Sequence, residues 1–319
     1  MVIFPNCKIN LGLRILRKRT DGYHDLETIF YPLPWKDVVE VITATDSPKE
    51  NVQFHASGLT VAGNPADNLC IKAYNLLKAK FPDLPPIKLY LHKAIPMGAG
   101  LGGGSADGAF TLRLLNDKYQ LGLSATELIE LALQLGSDCP FFILNSPCSA
   151  TGRGEIMEPV SCNLAGYKIL LINPGIHINT GWAFSQLNLS TPPSISLKEI
   201  IQQPVATWKD QLVNDFEKPV FELHPEIGAI KDKMYSNGAV YAAMSGSGST
   251  VFGLFKEVPE IDFPSEYIMK VFMSLIFRKA QRALLSTIWA LQIHFTAFDA
   301  ETRRNVLRVS ASLRLTISA

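Results

Sequence analysis

Four features are missing from this sequence of 319 residues, and each absence argues against a class of protein. No run of 18 apolar residues occurs, so nothing predicts a membrane-spanning helix, and the first residues lack the basic segment of a signal peptide. Excess charge is missing too, because the net charge is +1, which gives no sign of a nucleic-acid partner. The five cysteines are an odd number without C-x-x-C spacing, so we expect reduced, mostly buried thiols and a cytoplasmic protein.

Glycine and proline are missing from the end of the chain. Residues 269–319 contain neither, and they carry eight Lys and Arg against two Asp and Glu. The stretch 271–298 is compatible with an amphipathic surface helix, and an altered terminus without a selected structure is the other interpretation. We therefore treat 269–319 as an atypical tail, outside the predicted fold. The remaining length and the 47% hydrophobic content predict two domains with a sizeable core.

Glycine is instead concentrated between Pro96 and Gly108, which hold six of the 22 glycines in the chain. The stretch follows a strand-like segment and precedes a helix-like one. Glycine permits positive φ and close backbone approach, and exposed N–H groups before a helix form a cradle for anions. We predict a phosphate-binding loop, the alternative being a flexible glycine linker, which seldom lies between two well-patterned elements.

Several known phosphate loops do not fit. Gly98, Gly100 and Gly103 match the dinucleotide-binding pattern, but the preceding strand 87–93 alternates with polar residues, which predicts a half-exposed antiparallel strand. The acidic residue expected after a second strand is missing as well. No Gly-Lys-Ser/Thr follows, which excludes a Walker A loop, and the His-Arg-Asp and Asp-Phe-Gly motifs of protein kinases do not occur.

Periodicity and capping signals predict the other elements. We expect strands over 2–16, 26–33, 38–43, 52–55, 87–93, 141–144, 167–173 and 250–255. Helices are expected over 69–80, from an N-cap at Ser105, from a capping box at Ser124 to Leu135, after Thr180, and over 225–235. The segment 151–155 is predicted to be a hairpin turn, and the Pro- and Ser-rich segment 190–207 a loop.

Five ordered motifs over residues 1–268 resemble the GHMP small-molecule kinases. They are Pro5-Asn-Cys-Lys-Ile-Asn10, Arg19-Thr-Asp-Gly-Tyr-His24, the glycine stretch, Leu135-Gly-Ser-Asp-Cys-Pro140 and Met244-Ser-Gly-Ser-Gly-Ser-Thr250. The resemblance implies an α+β, two-domain GHMP-kinase fold. Its N-terminal ATP-binding domain, over 1–160, would resemble ribosomal protein S5, and its C-terminal domain, over 161–268, would be a ferredoxin-like α/β sandwich.

The resemblance also implies site residues. Lys8 and Asp138 would be catalytic, with Asp138 accepting the proton of the substrate hydroxyl. The loop that holds the ATP phosphates would comprise Pro96, Met97, Gly98, Ala99, Gly100, Leu101, Gly102, Gly103, Gly104, Ser105 and Ala106, and the second loop beside them Ser245, Gly246, Ser247 and Gly248. Substrate-binding residues would be Asn10, Tyr23, His24, Lys93, Thr180 and Phe184, with Tyr23 and Phe184 on opposite faces of a cytosine. We expect Asp107 to point away from the phosphates.

The residues alone leave plainer interpretations open. A strand lysine such as Lys8 or Lys93 is usually a solvated charge, and an aspartate before proline, such as Asp138, commonly forms a turn. Tyr23 and His24 could be ordinary surface residues, Phe184 could belong to a helix core, and the segment 245–249 could be a tight hairpin turn. The motif matches favour the functional interpretation for Lys8, Asp138 and the second loop.

The implied activity is phosphoryl transfer from ATP, with Mg²⁺, to the 2-hydroxyl of a cytidine diphosphate-linked methylerythritol, a step of non-mevalonate isoprenoid biosynthesis. No metal-ligand cluster is visible, so no metal ligand is predicted. The partner would be this small molecule, and the chain would be a monomer or a homodimer. The alternatives are another GHMP kinase, acting on mevalonate, homoserine or a sugar, and a non-catalytic nucleotide-binding relative.

Overall fold

A computed structural model describes residues 1–45, 50–61, 63–187 and 195–273. The described residues belong to one compact unit. The strands in the described residues are β1 (Val2–Ile3), β2 (Asn6–Lys18), β3 (His24–Lys36), β4 (Val38–Thr43), β5 (Val52–Gly58), β6 (Ile87–Lys93), β7 (Cys148–Thr151), β8 (Ile156–Pro159), β9 (Lys168–Asn173), β10 (Tyr241–Met244), β11 (Val251–Phe255) and β12 (Ile268–Met273). The α-helices are α1 (Leu69–Lys80), α2 (Gly103–Tyr119), α3 (Ala125–Leu135), α4 (Cys139–Leu144), α5 (Thr180–Ser185), α6 (Leu197–Ile200), α7 (Glu217–Leu223) and α8 (Pro225–Ser236).

The first sheet has the order β1-β4-β6-β5 and leads into the glycine loop. In β6 the side chains of Ile87, Leu89 and Leu91 are buried, whereas Tyr90 and His92 are exposed, as the alternating sequence predicts. The strand pairs antiparallel with β4 and parallel with β5, and its buried face packs with α1, α2 and α3 in one apolar core. Strand β6 ends at Lys93, whose ammonium lies 3.3 Å from the Cβ position of Gly103, the first residue of α2.

The second sheet has the order β2-β3-β7-β8 and carries the predicted catalytic lysine. Its two long strands, β2 and β3, have 13 residues each, and the register between them shifts between Asn10 and Leu13. Gly12, at φ +80°, lies in this bulge, where a Cβ would come within 2.9 Å of the Leu212 side chain. The side chains of Lys8 and Asn10 lie on the same face of β2 because they are two residues apart.

The third sheet has the order β10-β11-β9-β12, and all five residues of β11 are buried. Two apolar clusters lie on it, one toward β2 and β3 and the other toward α7 and α8. The first five residues of the predicted tail, 269–273, belong to β12, which pairs antiparallel with β9. Residues 274–319 of that tail lie outside the described residues.

Three predicted elements differ in the structure. Residues 141–144 form the end of helix α4 rather than a strand, with Pro140 in the first turn and Asn145 at φ 48° closing the helix. A short apolar run fits a buried strand or a buried helix equally well, which explains the wrong prediction. Helix α2 begins at Gly103, with Gly102 rather than Ser105 at the N-cap. The described part of 190–207 contains α6, which has its own capping box at Ser196 and Glu199.

Candidate active site

The glycine loop has a fixed backbone conformation. Gly98, Gly100 and Gly102 have φ values of +63°, +75° and +68°, which residues other than glycine rarely adopt. A Cβ at Gly100 would lie 1.9 Å from the carbonyl oxygen of Ser245, so the two loops approach with no room for a side chain. The first N–H groups of a helix lack an intrahelical acceptor, so the start of α2 beside this loop offers donors suited to a phosphate.

The second loop, 245–250, is tied to the first. The Ser245 hydroxyl donates to the Gly100 carbonyl at 2.8 Å, and the Thr250 N–H donates to the Ala99 carbonyl at 3.3 Å. Beneath it, the Asn214 amide donates to the carbonyls of Met244 at 2.7 Å and Gly246 at 2.8 Å. Sequence reasoning missed Asn214, which is buried and far from either motif in sequence.

A cleft of about 920 Å³ lies in front of these loops. Eight of the predicted phosphate-loop residues line it: Met97, Gly98, Ala99, Gly100, Gly102, Gly103, Gly104 and Ser105. Pro96 is not among its lining residues, and Leu101 and Ala106 are fully buried beneath the loop. Of the predicted second loop, Gly246 and Ser247 line the cleft, whereas Ser245 is buried at the contact between the loops. Gly248 is not among the lining residues.

The predicted catalytic pair meets at the floor of the cleft. The Lys8 ammonium donates to the Asn10 side-chain oxygen at 2.6 Å and to the Gly100 carbonyl at 3.1 Å, and it lies 3.4 Å from the Asp138 carboxylate. Lys8 is 4% exposed, whereas the Asp138 side chain is 37% exposed. The buried ammonium is therefore fixed in position, and the carboxylate faces the cleft, where a substrate hydroxyl could reach it.

Hydrogen bonds orient the side chain of Asn10 toward Lys8. Its amide donates to the Thr28 hydroxyl at 2.9 Å, and that hydroxyl donates to the Gly12 carbonyl at 2.7 Å. This fixes the orientation of the amide, so that its oxygen faces the ammonium. Asn10 thus lines the cleft as predicted, but its described contacts are to Lys8, Thr28 and Ser245.

Lys93 does not lie in the cleft, which corrects its prediction as a substrate-binding residue. Its ammonium forms a buried ion pair with Asp37 and a second one, of 2.7 Å, with Asp107. All three side chains are at most 4% exposed. Asp37 also accepts the N–H groups of Ala94 and Ile95, so the cluster fixes the backbone where it enters the glycine loop.

The same cluster explains Asp107, whose carboxylate points into the core beneath the loop. Its Oδ1 is buried without a partner among the described residues. Burial raises the pKa of Asp107 to about 8, although the charge of Lys93 opposes that shift. Burial alone would lower the pKa of Lys93, but the two carboxylates outweigh it, and the pKa is raised.

Aromatic residues line the other end of the cleft. Tyr23 is 53% exposed, with the Arg153 guanidinium 4.6 Å from its ring centroid. The ring of His24 stacks on Phe184 at 4.8 Å and 18°, and burial, followed by the charge of Lys18, lowers the pKa of His24. Phe184 and Tyr23 both line the cleft, but the described partner of the Phe184 face is His24. Near them, Thr180 shares a hydrogen bond of 3.1 Å with Ser247 and thereby joins α5 to the second loop.

The donor groups on the cleft wall decide which metal ions the site can hold. Within the described residues, no group of three or more His, Cys, Asp or Glu side chains could hold a metal ion. Mg²⁺ in phosphate-transferring sites takes most of its oxygens from phosphates and water, with one or two carboxylates. Asp138 and the Ser105 hydroxyl offer oxygens on the cleft wall, so the donor set fits an ion that arrives with the nucleotide.

Two basic residues on the cleft wall, Lys18 and Arg153, were not predicted from sequence. Arg153 lies in the hairpin turn between β7 and β8, and Lys18 lies at the end of β2; both line the cleft. The arginine stands between two glycines at 152 and 154, and that spacing was the available signal.

The five cysteines are free, and four are buried, as predicted. No helix in the described part of the chain is long and apolar enough to cross a membrane.

Comparison with known proteins gives two family matches. Residues 68–146 match the GHMP kinases N terminal domain, and residues 196–262 match the GHMP kinases C terminal domain. A Bacteroides fragilis protein named 4-diphosphocytidyl-2-C-methyl-D-erythritol kinase is 52% identical over 270 residues, covering 84% of this chain and 97% of that protein. A Cytophaga hutchinsonii protein of the same name is 52% identical over 261 residues, covering 82% and 94%.

Solved structures agree. A crystal structure of 4-(cytidine 5'-diphospho)-2C-methyl-D-erythritol kinase matches with a TM-score of 0.68 and 30% identity, covering 80% of this chain and 90% of that one. Homoserine kinase from Cytophaga hutchinsonii matches with a TM-score of 0.59 at 13% identity, covering 84% and 94%, which shows a shared fold alone. The predicted α+β GHMP-kinase fold is confirmed, and the domain boundary at residue 160 stays a prediction.

Proposed function

The chain belongs to the 4-diphosphocytidyl-2-C-methyl-D-erythritol kinase family of GHMP kinases, and from this membership we propose its reaction and the residues that carry it out. The protein transfers the γ-phosphoryl group of ATP to the 2-hydroxyl of 4-diphosphocytidyl-2-C-methyl-D-erythritol. The relatives favour this substrate over mevalonate, homoserine or a sugar, since their shared name specifies it. The observation that carries the assignment of residues is the contact between buried Lys8 and accessible Asp138 beside the glycine loop.

Each side chain has a chemical task. Asp138 accepts the proton of the 2-hydroxyl as its oxygen attacks the γ-phosphorus, and ADP leaves with the electrons of the broken P–O bond. Lys8 holds Asp138 in place and neutralises charge that develops on the phosphoryl oxygens. The backbone N–H groups of 98–104 bind the ATP phosphates, and positioning supplies much of the acceleration. Bound Mg²⁺ would supply further charge neutralisation, with the Ser105 hydroxyl as its protein oxygen, since Asp138 has to accept the proton.

The aromatic end would bind the nucleoside. Tyr23 is exposed and offers a face on which cytosine can stack, a contact that contributes about 1–3 kcal/mol per base in nucleic-acid systems. His24 would contact the base edge, with Phe184 behind it. We propose a cytoplasmic enzyme, consistent with five free thiols. A monomer or a homodimer is equally compatible with this site, since every proposed residue comes from one chain.

The test is a substrate panel with ATP, followed by variants. We expect turnover with 4-diphosphocytidyl-2-C-methyl-D-erythritol, inhibition by CDP, and no turnover with mevalonate, homoserine or galactose. Asp138→Asn keeps the side-chain volume but removes the base, so kcat should fall on the order of 100-fold or more while ATP affinity stays near its wild-type value. Asp67→Asn, at an exposed position that is not among the residues lining the cleft, is the matched control.

A double variant tests whether the pair acts as one unit. Lys8→Met combined with Asp138→Asn should lose much less than the product of the two single losses. Near-normal turnover by folded Asp138→Asn would reject Asp138 as the base. Absence of ATP consumption with every substrate would instead support a non-catalytic relative.

A further inference from the structure

The substrate of the proposed function carries negative charge that the catalytic pair, Lys8 and Asp138, does not neutralise. Its diphosphate joins the nucleoside to the methylerythritol and carries about two negative charges. Of the described residues that line the cleft, three are basic: Lys8, Lys18 and Arg153. Lys8 is already engaged by Asp138, Asn10 and the Gly100 carbonyl. Lys18 and Arg153 are therefore the basic residues left to neutralise the diphosphate.

Arg153 is held by its backbone rather than by its side chain. The Gly152 carbonyl accepts the N–H of Leu26 at 2.7 Å, which fastens the turn to β3. The N–H of Arg153 donates to the Glu155 carboxylate at 2.5 Å. Among the described residues, the guanidinium has one carboxylate oxygen within 4.0 Å, Oε1 of Glu155 at 4.0 Å from Nε, which is beyond hydrogen-bonding distance. The charge of Arg153 also acts on Asp21 from farther away and helps to lower the pKa of that carboxyl, after the larger effect of Arg19. Its donors are thus placed on a fixed turn without a committed acceptor.

The turn also lies between the two ends of the cleft. On one side the guanidinium lies over the Tyr23 ring, at 4.6 Å. On the other, a Cβ at Gly154 would lie 3.9 Å from the carbonyl oxygen of Ser137, the residue before Asp138. A substrate with its base on Tyr23 and its 2-hydroxyl at Asp138 must pass its diphosphate between these points. Arg153 is 28% exposed, so its donors can be reached from the cleft.

We infer that Arg153 binds the diphosphate of the substrate and at the same time braces Tyr23 from the face opposite to the base. The inference rests on the proposed function. A planar guanidinium suits both tasks, because it stacks on an aromatic ring and offers paired N–H donors to phosphate oxygens. A lysine could supply the charge but neither the stacking plane nor the paired donors.

Competitive binding of cytidine, CMP and CDP separates the two tasks, since only the last two carry phosphate. For Arg153→Met we expect CDP affinity to fall about 10- to 100-fold, the range for lost hydrogen bonds to a charged group, and cytidine affinity to fall less than about 3-fold. Arg153→Lys should recover part of the CDP loss. Tyr23→Ala should weaken cytidine and CDP by the same factor, because base stacking serves both. Arg17→Met, which removes a guanidinium that is 76% exposed and outside the cleft lining, is the matched control.

The outcomes are distinct. Equal losses of cytidine and CDP affinity in Arg153→Met would overturn the inference and leave Arg153 as a brace for Tyr23 only. An unchanged CDP affinity in that variant would overturn it as well. A wild-type protein that binds neither CDP nor CMP would reject the proposed function itself, and the inference with it. Circular dichroism checks that Arg153→Met is folded. If it is not, the Arg153→Lys variant decides, because the inference expects it to lower CDP affinity more than cytidine affinity.

Discussion

Replacing Lys93 by methionine should destabilise the protein more than any change on its exposed surface. Lys93 is the only cation in contact with Asp37 and Asp107 within the described residues, and all three side chains are buried. Methionine has nearly the length of the lysine stem, so the substitution opens little cavity and removes chiefly the charge. The buried carboxyl groups of Asp37 and Asp107 then lack their cationic partner.

The expected loss follows from this geometry. Breaking a buried ion pair by removing one partner typically costs about 3–5 kcal/mol, because the remaining charge stays desolvated. For a chain of this size such a loss corresponds to a fall in Tm of roughly 10 °C. Part of the effect should reach the site, since Asp37 holds the N–H groups of Ala94 and Ile95 before the glycine loop. We therefore also expect a higher KM for ATP.

Thermal unfolding followed by circular dichroism checks this prediction. The matched control is Lys72→Met, because Lys72 pairs with Asp67 at 2.9 Å while both side chains are 45% and 73% exposed. Exposed pairs contribute little, so that control should stay within about 0.5 kcal/mol of the wild type. The double variant Lys93→Met/Asp107→Leu should be more stable than Lys93→Met alone, because the buried carboxyl group of Asp107, left without its partner, is removed as well. A Tm of Lys93→Met within two degrees of the control would refute the reasoning.

Two further predictions concern the same core and the end of the chain. The pKa of Asp107 is about 8 when folded against 3.8 as its ordinary value, so its contribution to stability is fully present below about pH 4 and is lost as the pH rises through 8. Tm should therefore fall between pH 5 and pH 8.5 more in the wild type than in Asp107→Asn, and parallel curves would contradict this. A chain ending at residue 273 keeps β12 and should bind ATP like the full chain, whereas one ending at 267 exposes the edge of β9 and should unfold at lower temperature. Equal Tm values for the two truncated chains would show that β12 adds no stability.

Local signals predicted the regular elements well. Helix α1 has the bounds read from its apolar spacing, and α3 carries the predicted capping box, in which Ser124 and Glu127 bond reciprocally. These signals reside in residues three or four positions apart, so the sequence displays them directly. The failure at 141–144 has the same origin, since a run of four apolar residues has too few positions to show a period.

Long-range partners could not be predicted in this way. The resemblance to GHMP kinases implies Lys93 as a substrate-binding residue, but its partner Asp37 is 56 residues away on the chain, and no local pattern connects them. Asn214 and the loop at 244–246 are likewise joined only by the fold. Family motifs supplied Lys8 and Asp138, and the structure adds what a motif cannot state, namely that the lysine is buried while the aspartate is accessible.

The glycine loop shows why composition alone misassigns a physical cause. From the sequence, the crowded glycines are explained by the approach of a ligand to bare backbone. In the structure, Gly100 is required first by the protein itself, since a Cβ there would meet the Ser245 carbonyl, and Gly102 by the Phe142 ring at 2.9 Å. At Gly104 nothing lies within 4 Å of the Cβ position, so there the protein leaves space. Closeness of the two loops and access for phosphate are therefore separate needs that one glycine-rich segment satisfies at different residues.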